Sequence, residues 1–492
     1  MPVIRRSRLR TVLSIVAALF LVGTVFKINW SPAPASVVVP NTAFEVPLTE
    51  RQNAFWKAFK PTLEAHAPRC PPPVHEEDVE ATHFNATTDE IRPDLTFMDE
   101  NNVLLMQDAH ARFLEAIAET RLLRPVHAPG TRGLVSTAGG QYLPVFLATL
   151  RMLRRTGSIL PVEVYMKDAS EYEKNICEEV LPSLNARCLI LSDVMGKEFI
   201  EHFQLKVFAV LLSSFEEVVW MDADCFPLHE PELLLDSEVF KSTGLITWPD
   251  FWQSSASPLF FQISKQPETP MNGRQTTEAG VFLVSKKSHL RTLLLSAYYN
   301  YYGPSHYFRL LSQGGPGEGD KETFLNAAAA VNEPFYAVSE RVQAVGHPAG
   351  DDGLSGSAMA QSDPIQDQAL VSQGLLRVLD PSVADAPRVF FIHANYPKFN
   401  PGGNDIWGTE FETAPTVRPD GTDGRAWIVP EDVIQRFGYD AEKAYWEELK
   451  YISCDPSIEF QTWTAKPDVC HKVEQYWDNV FAVPHDDDFH WD

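Results

Sequence analysis

One stretch decides the fold of this chain: EEVVWMDADCFPL, residues 216–228. Its four consecutive apolar residues, 218–221, predict a buried strand of a parallel sheet. Two carboxylates follow, Asp222 and Asp224, and Pro227 keeps the strand from continuing. Ligands of open α/β sheets bind beyond the carboxyl ends of the strands, which is where these carboxylates fall. Their oxygens suit Mg²⁺ or Mn²⁺, so the stretch predicts a metal site, with a solvated turn as the alternative.

A strand, a tight turn and a helix are predicted between residues 132 and 157. The turn consists of the small residues Thr137, Ala138 and Gly139, and leucines at helical spacing follow it. Small residues let the backbone approach a base or a phosphate, as in the first unit of a nucleotide-binding fold. We therefore predict nucleotide binding at this turn. The full G-x-G-x-x-G spacing is absent, and a plain strand-to-helix turn is the alternative.

Strands and helices alternate along the middle of the chain, which predicts an α/β fold with a mostly parallel central sheet. Further strands are predicted over 162–166, 188–191, 244–248, 278–284 and 389–392, and helices over 104–123, 203–215 and 288–300. The small, polar residues of 346–373 predict a surface insertion or a flexible loop.

A second constellation follows the apolar strand 389–392. The strand ends at His393, and Lys398 lies five residues further on. Histidine offers a neutral nitrogen ligand, and lysine can hold a diphosphate oxygen as a point charge. These two residues are therefore predicted beside the metal site, with a purely structural histidine as the alternative.

Asp320 follows a glycine-rich segment, 314–319, and precedes an alanine-rich helix. It stands at the N-cap position of that helix with Thr323 at N3, so a plain helix cap is one interpretation.

Composition restricts the class of partner. The chain has 492 residues, and its 66 acidic and 41 basic residues give a net charge of −25. Phosphate backbones are bound by surfaces rich in Lys and Arg, so nucleic acid is excluded as a general partner.

The N-terminus predicts a membrane anchor. Four arginines within residues 1–10 precede an uncharged, mostly apolar run over 11–26, and the predicted anchor spans 11–28. A basic end in the cytosol places the remainder in the lumen, and a cleaved signal peptide is the alternative. A proline-rich stem is predicted over 29–125, a catalytic domain over 126–400 and a packed C-terminal extension over 401–492.

Luminal exposure gives meaning to two other features. Asn85-Ala86-Thr87 is an N-glycosylation acceptor. Six cysteines in an oxidising compartment allow fifteen pairings, of which the local pairs Cys177–Cys188 and Cys454–Cys470 are expected.

Several segments, in this order, resemble the fungal Golgi mannosyltransferases that extend and branch mannan. The resemblance covers roughly residues 130–400. The α-1,2-branching members are the most similar, with the α-1,3-capping relatives next. The segments are VVWMDADCFPL (218–228), GLITWPDFW (244–252), TEAGVFLVSKKSHL (277–290), YYN (298–300) and GEGDKETF (317–324).

The resemblance implies a single-pass type II Golgi membrane protein with a luminal catalytic domain of the GT-A fold. It implies a GDP-mannose donor, Mn²⁺ (or Mg²⁺), and retaining transfer to mannose residues of protein-linked glycans. The expected product is α-1,2 branching of an α-1,6-mannan backbone. A complex with other Golgi transferases is also compatible with the resemblance.

The resemblance also implies roles for individual residues. Asp222 and Asp224 would bind the metal and the diphosphate, with His393 as third ligand and Lys398 on a phosphate. Among the remaining acids, Asp320 matches one near the sugar, and Glu278 matches a polar group near donor or acceptor.

The sequence leaves four alternatives open. An α-1,3-mannosyltransferase or a transferase for another sugar nucleotide, such as a galactosyl donor, would share the site chemistry. A hydrolase would leave the histidine and the lysine unexplained. A non-catalytic luminal lectin would use the aromatic residues alone and would tolerate loss of the carboxylates.

Overall fold

Three β-sheets organise this computed structural model, which describes residues 46–119, 124–196, 200–349, 353–407, 414–418 and 420–482. Its strands are β1 (Val74–His75), β2 (Thr96–Phe97), β3 (Arg132–Thr137), β4 (Val162–Met166), β5 (Ala186–Ile190), β6 (Glu217–Met221), β7 (Cys225–Pro227), β8 (Leu245–Pro249), β9 (Thr277–Ser285), β10 (Tyr336–Ala337), β11 (Gln343–Ala349), β12 (Gly353–Ser362) and β13 (Val389–His393).

The main α-helices span Leu48–Ala65, Glu100–Ala118, Leu143–Arg155, Leu205–Leu212, Glu238–Thr243, Pro258–Ser264, Leu290–Tyr301, Phe308–Ser312, Thr323–Val331, Pro364–Ser372, Glu431–Gln435, Ala441–Cys454 and Val469–Val480. Within the described ranges, no helix combines the length and the apolar character that a membrane crossing needs. The predicted anchor, 11–28, lies outside the described residues, as do 1–10 and the first part of the predicted stem, 29–45.

The central sheet has the strand order β10-β8-β9-β6-β3-β4-β5. Strands β6, β3, β4 and β5 run parallel to one another, and β8 and β10 are also parallel to each other. Only β9 runs antiparallel to its neighbours, β6 and β8. The predicted α/β fold with a mostly parallel central sheet is confirmed.

Both faces of the central sheet are covered. Along β6, Val218 and Trp220 belong to one buried cluster and Val219 and Met221 to another, because successive side chains of a strand point to opposite faces. The first face packs against helices that include Leu48–Ala65, Glu100–Ala118, Leu205–Leu212 and Leu290–Tyr301. The second face packs against Leu143–Arg155 and Ala441–Cys454.

Two of these helices fall within the segment predicted as stem. Helices Leu48–Ala65 and Glu100–Ala118 bury Phe59 and Phe113 completely in the core that lies under the sheet. Gln52 ties the first helix to the core, since its Nε2 donates to the Leu212 carbonyl oxygen at 2.8 Å. From Val46 onward the chain therefore packs as one unit.

The C-terminal helices pack on the opposite side. Arg151 of the helix Leu143–Arg155 donates to Glu448 at 2.6 Å and so ties the helix Ala441–Cys454 to the sheet. Tyr445 and Trp446 of that helix are fully buried.

The prediction of a flexible loop over 346–373 is wrong. Apart from 350–352, which lie outside the described residues, the segment forms the end of β11, β12 and the helix Pro364–Ser372. Strands β11, β12, β13 and β7 make an antiparallel second sheet. Small side chains such as Ala358 and Ala360 are buried there, so the segment enters the core without the large apolar residues by which a strand is usually predicted.

The expected disulfides Cys177–Cys188 and Cys454–Cys470 are confirmed. Cys225 is a buried free thiol and Cys70 a half-buried one.

Candidate active site

The turn Asp222-Ala223-Asp224 connects the central sheet to the second sheet. Strand β6 ends at Met221 and β7 begins at Cys225, so the two aspartates occupy the turn between them. The backbone is fixed at both ends: the Asp222 N–H donates to the Gly280 carbonyl oxygen at 2.7 Å, and the Ala394 N–H donates to the Asp224 carbonyl oxygen at 2.9 Å. The carboxylates are therefore held at the carboxyl end of β6, as the sequence predicts.

His393 reaches this turn through strand pairing. Strand β13 runs antiparallel to β7, and their register places His393 opposite Cys225. Its Nε2 lies 3.1 Å from Asp224 Oδ1. Lys398 forms an ion pair with the other oxygen of Asp224. The structure thus brings Asp224 together with His393 and Lys398, which follow it by about 170 positions in the sequence.

A divalent cation fits this cluster. One ligand atom from each of Asp222, Asp224 and His393 can be chosen so that all three lie within 4.8 Å of one another. Two carboxylate oxygens and one imidazole nitrogen form a donor set that Mn²⁺ accepts, and carboxylates alone also suit Mg²⁺. The assignment of these residues as metal ligands stays a prediction, with a geometry that allows it.

The site is electrostatically coupled. Burial alone lowers the pKa of His393, but the carboxylates of Asp224 and Glu278 outweigh burial and raise it to about 10. Burial raises the pKa of Asp224, but His393 and Lys398 hold it well below its usual range. Without a metal the imidazole is therefore protonated, and a cation that binds its nitrogen must displace a proton.

A cavity of about 810 Å³ opens above the carboxylates. The predicted nucleotide-binding turn, Thr137 to Gly139, lines it together with Asp222, Asp224 and Lys398. Strands β3 and β6 are parallel neighbours, which is why their carboxyl ends share one edge of the sheet. The volume suits a ligand of the size of a nucleotide sugar.

Asp320 does not cap a helix. The helix begins at Thr323, and only the backbone carbonyl oxygen of Asp320 accepts from the Thr323 N–H, at 2.9 Å. Its side chain is 5% exposed and lies 3.2 Å from the Lys206 ammonium. Burial raises the pKa of Asp320 to about 6, although the Lys206 charge opposes the rise. The helix-cap interpretation is therefore wrong.

Glu278 lies behind His393 rather than among the residues that line the cavity. Its carboxylate accepts from the Gly280 N–H at 2.8 Å and from Gln361 at 3.1 Å, and lies 3.5 Å from His393 Nδ1. Burial raises its pKa, but His393 and Lys206 outweigh burial and lower it to about 2. A carboxylate in this position would orient the imidazole if His393 binds a metal. The predicted contacts of Glu278 and Asp320 with a sugar stay predictions.

Gly280 allows His393 to come close to β9. A Cβ atom at this position would lie 2.4 Å from His393 Cε1, which no side chain tolerates. Position 280 must therefore be a glycine for the His393 ring to lie where it does.

Lys206 is a site residue that the sequence analysis missed. It is 5% exposed, and its ammonium donates to the Ala279 carbonyl oxygen at 2.6 Å while it lies 3.2 Å from both Asp222 and Asp320. The one signal in the sequence is a lone lysine in the otherwise apolar helix Leu205–Leu212. Buried lysines are rare unless they are paired, so this exception pointed to a carboxylate partner.

The chain matches a mannosyltransferase family model (Mannosyl_trans3) over residues 131–363. It is 34% identical over 412 residues to the α-1,2-mannosyltransferase MNN21 of Candida albicans, a match that covers 70% of this chain and 61% of the relative. It is 30% identical over 374 residues to the α-1,2-mannosyltransferase MNN2 of Saccharomyces cerevisiae, with 62% of each chain covered. The chain thus spans about three-fifths of the length of these curated relatives.

These matches confirm the predicted resemblance to the fungal α-mannosyltransferases. Asp222, Asp224, Glu278 and Asp320 lie inside the range of the family model, and the segment with His393 lies beyond it.

Two solved structures resemble part of this chain, with low sequence identity and low TM-scores. The glycosyltransferase GlyE of Streptococcus pneumoniae TIGR4 is 11% identical with a TM-score of 0.33, over 64% of this chain and 62% of that one. The galactosyltransferase LgtC is 15% identical with a TM-score of 0.28, over 42% of this chain and 73% of that one. Neither similarity is close enough to bear on function.

Proposed function

We propose that this chain, a relative of the fungal α-1,2-mannosyltransferases, transfers mannose from GDP-mannose to a mannose residue of a protein-linked glycan. The linkage is α-1,2, on an α-1,6-mannan backbone, and the configuration is retained. The observation that carries the proposal is the cluster of Asp222, Asp224 and His393 beside Lys398, at the base of a cavity of about 810 Å³. The mainly parallel sheet supports a GT-A type of fold.

The chemistry of the leaving group explains this charge arrangement. Breaking the sugar–phosphate bond leaves additional negative charge on the diphosphate of GDP. Mn²⁺ or Mg²⁺, when bound by the two aspartates and the histidine, supplies positive charge to that diphosphate. Lys398 lines the cavity and offers an ammonium to a phosphate oxygen without any proton transfer.

The sugar side of the site depends on two buried acids. Asp320 is held at a fixed distance from Asp222, because Lys206 lies 3.2 Å from both. Lys206 thereby keeps the Asp320 carboxylate close to the metal site, and we assign it, from the resemblance, to positioning the mannose. Glu278 orients His393 from behind.

The chain acts in the Golgi lumen as a single-pass type II membrane protein, anchored through 11–28 and free to contact other Golgi transferases. The strongly negative net charge of −25 is consistent with a glycan rather than a nucleic acid as the acceptor.

A donor and metal panel tests the proposal. The full-length chain is incubated with GDP-mannose, UDP-galactose or UDP-glucose, an α-1,6-mannose oligosaccharide, and either Mn²⁺ or EDTA. We expect transfer only from GDP-mannose and only with metal, and linkage analysis distinguishes an α-1,2 product from an α-1,3 product. Asp224→Asn should reduce transfer at least about a hundredfold, because it removes a charge from the predicted metal site. Transfer from a UDP-sugar, or undiminished transfer by a folded Asp224→Asn protein, would refute it.

A further inference from the structure

The cavity has a second charged end, away from the metal cluster. Lys167 follows β4, Glu171 lies four residues further on, and both line the cavity. In the sheet, β4 is separated from β6 by β3. At ~4.8 Å between neighbouring strands, the two ends of the cavity are about 10 Å apart. A ribose fits between a diphosphate at Asp224 and a base at Glu171.

Glu171 is held against the predicted nucleotide-binding turn. One carboxylate oxygen accepts from the Lys167 N–H at 2.8 Å. A Cβ atom on Gly139 would lie 2.3 Å from that same oxygen, so the glycine makes room for the carboxylate. The second oxygen takes no part in these contacts and can accept hydrogen bonds from a ligand.

A carboxylate outside the metal cluster is unexpected beside a diphosphate, since no cation offsets its repulsion of the phosphate oxygens. Its chemistry instead suits an uncharged group that carries hydrogen-bond donors. The Lys167 ammonium provides the opposite chemistry beside it, and it is held by Glu201 at 2.8 Å with two of its three donor hydrogens left over.

We propose that Glu171 and Lys167 recognise the guanine base of the donor nucleotide. Guanine presents two donors, N1–H and the N2 amino group, beside one acceptor, O6. The second oxygen of Glu171 accepts from both donors, one on each lone pair, and the Lys167 ammonium donates to O6. Uracil presents a single N–H between two carbonyl oxygens, so the carboxylate would face acceptors on both sides. This inference rests on the proposed function and names the residues that select its donor.

Nucleotide binding tests the proposal without any transfer reaction. Dissociation constants of GDP, inosine diphosphate (IDP) and UDP are measured by calorimetry on the full-length chain at a fixed concentration of Mn²⁺. IDP differs from GDP only in lacking the N2 amino group. We expect GDP to bind about tenfold more tightly than IDP, the value of one hydrogen bond to a charged group.

Two variants locate the effect. In Glu171→Gln the single carbonyl oxygen stays with the Lys167 N–H and the amide group faces the base, so the GDP-to-IDP ratio should fall close to one. Glu179→Gln makes the same chemical change at an exposed residue of the neighbouring segment and should keep the wild-type ratio. Circular dichroism checks that both variants are folded.

Each outcome has a distinct meaning. Equal binding of GDP and IDP by the wild-type chain, or an unchanged ratio in Glu171→Gln, would overturn the base-recognition proposal while the GDP-mannose donor stands. Preferential binding of UDP would overturn both.

Discussion

Loss of the Lys206 ammonium should destabilise the site because it leaves a buried carboxylate without its counter-charge. In Lys206→Met the side chain keeps a similar length, but the cation that lies 3.2 Å from Asp320 is gone. Breaking a buried ion pair on one side costs about 3–5 kcal/mol. Since the pKa of Asp320 is already about 6 with Lys206 present, its carboxyl should become largely protonated at neutral pH, which limits the loss to the lower end of that range.

The measurement is the free energy of unfolding, obtained by urea titration of the full-length chain and followed by tryptophan fluorescence. We expect Lys206→Met to lower it by about 3 kcal/mol. Lys241→Met is the matched control: Lys241 is 50% exposed and pairs with Glu238 at 3.6 Å, and such surface pairs contribute at most about 1 kcal/mol.

A double variant distinguishes charge from packing. Lys206→Met combined with Asp320→Asn removes both members of the pair, so it should recover much of the stability that the single variant loses. Equal stabilities of Lys206→Met and Lys241→Met would refute the reasoning. So would a double variant in which the two losses simply add.

Two further changes probe the site and the core. Gly280→Ala places a methyl group 2.4 Å from the His393 ring. Calorimetric titration should therefore show that the variant binds Mn²⁺ at least about tenfold more weakly. Gly356→Ala is the control and should bind Mn²⁺ normally, because the nearest contact of its methyl group would be at 3.7 Å. Unchanged Mn²⁺ affinity in Gly280→Ala would contradict the role of His393. Burial lowers the pKa of His110 from 6.5 to about 4. Between these pH values His110 is protonated in the unfolded chain but neutral in the folded one, so the folded state loses stability as the pH falls through that window. His110→Gln should remove about 3 kcal/mol of this decline, measured by unfolding at pH 7 and pH 4; an identical decline in the variant would show that another group titrates.

The sequence predicted the features that are defined by residue type and spacing within one short segment. An apolar run that ends in two carboxylates placed β6 and Asp222, and a small-residue turn before a leucine-rich helix placed residues 137–139 at the edge of the same sheet. Both features depend on side-chain type and spacing within about a dozen residues, which the sequence displays directly. The disulfide Cys177–Cys188 belongs to the same class, because its partners are eleven residues apart.

The second sheet and the role of Lys206 depend on contacts between segments that are distant in the sequence, and no local pattern predicts such contacts. The second sheet was missed because the segment 353–362 has small side chains that become core residues only when β13 pairs with it. In the sequence Lys206 only interrupts an apolar helix, and its role becomes visible when the fold brings Asp222 and Asp320 from two other segments within 3.2 Å of it.

By itself the sequence determined that carboxylates end a buried strand, that a histidine and a lysine follow another, and that the chain resembles the fungal mannosyltransferases. Only the tertiary structure decided that these groups meet. The antiparallel register of β13 and β7 places His393 3.1 Å from Asp224, and the parallel order of β6, β3 and β4 places Glu171 across the cavity from them. Strand register and strand order are set by which faces become buried together, a property of the whole core rather than of any one segment.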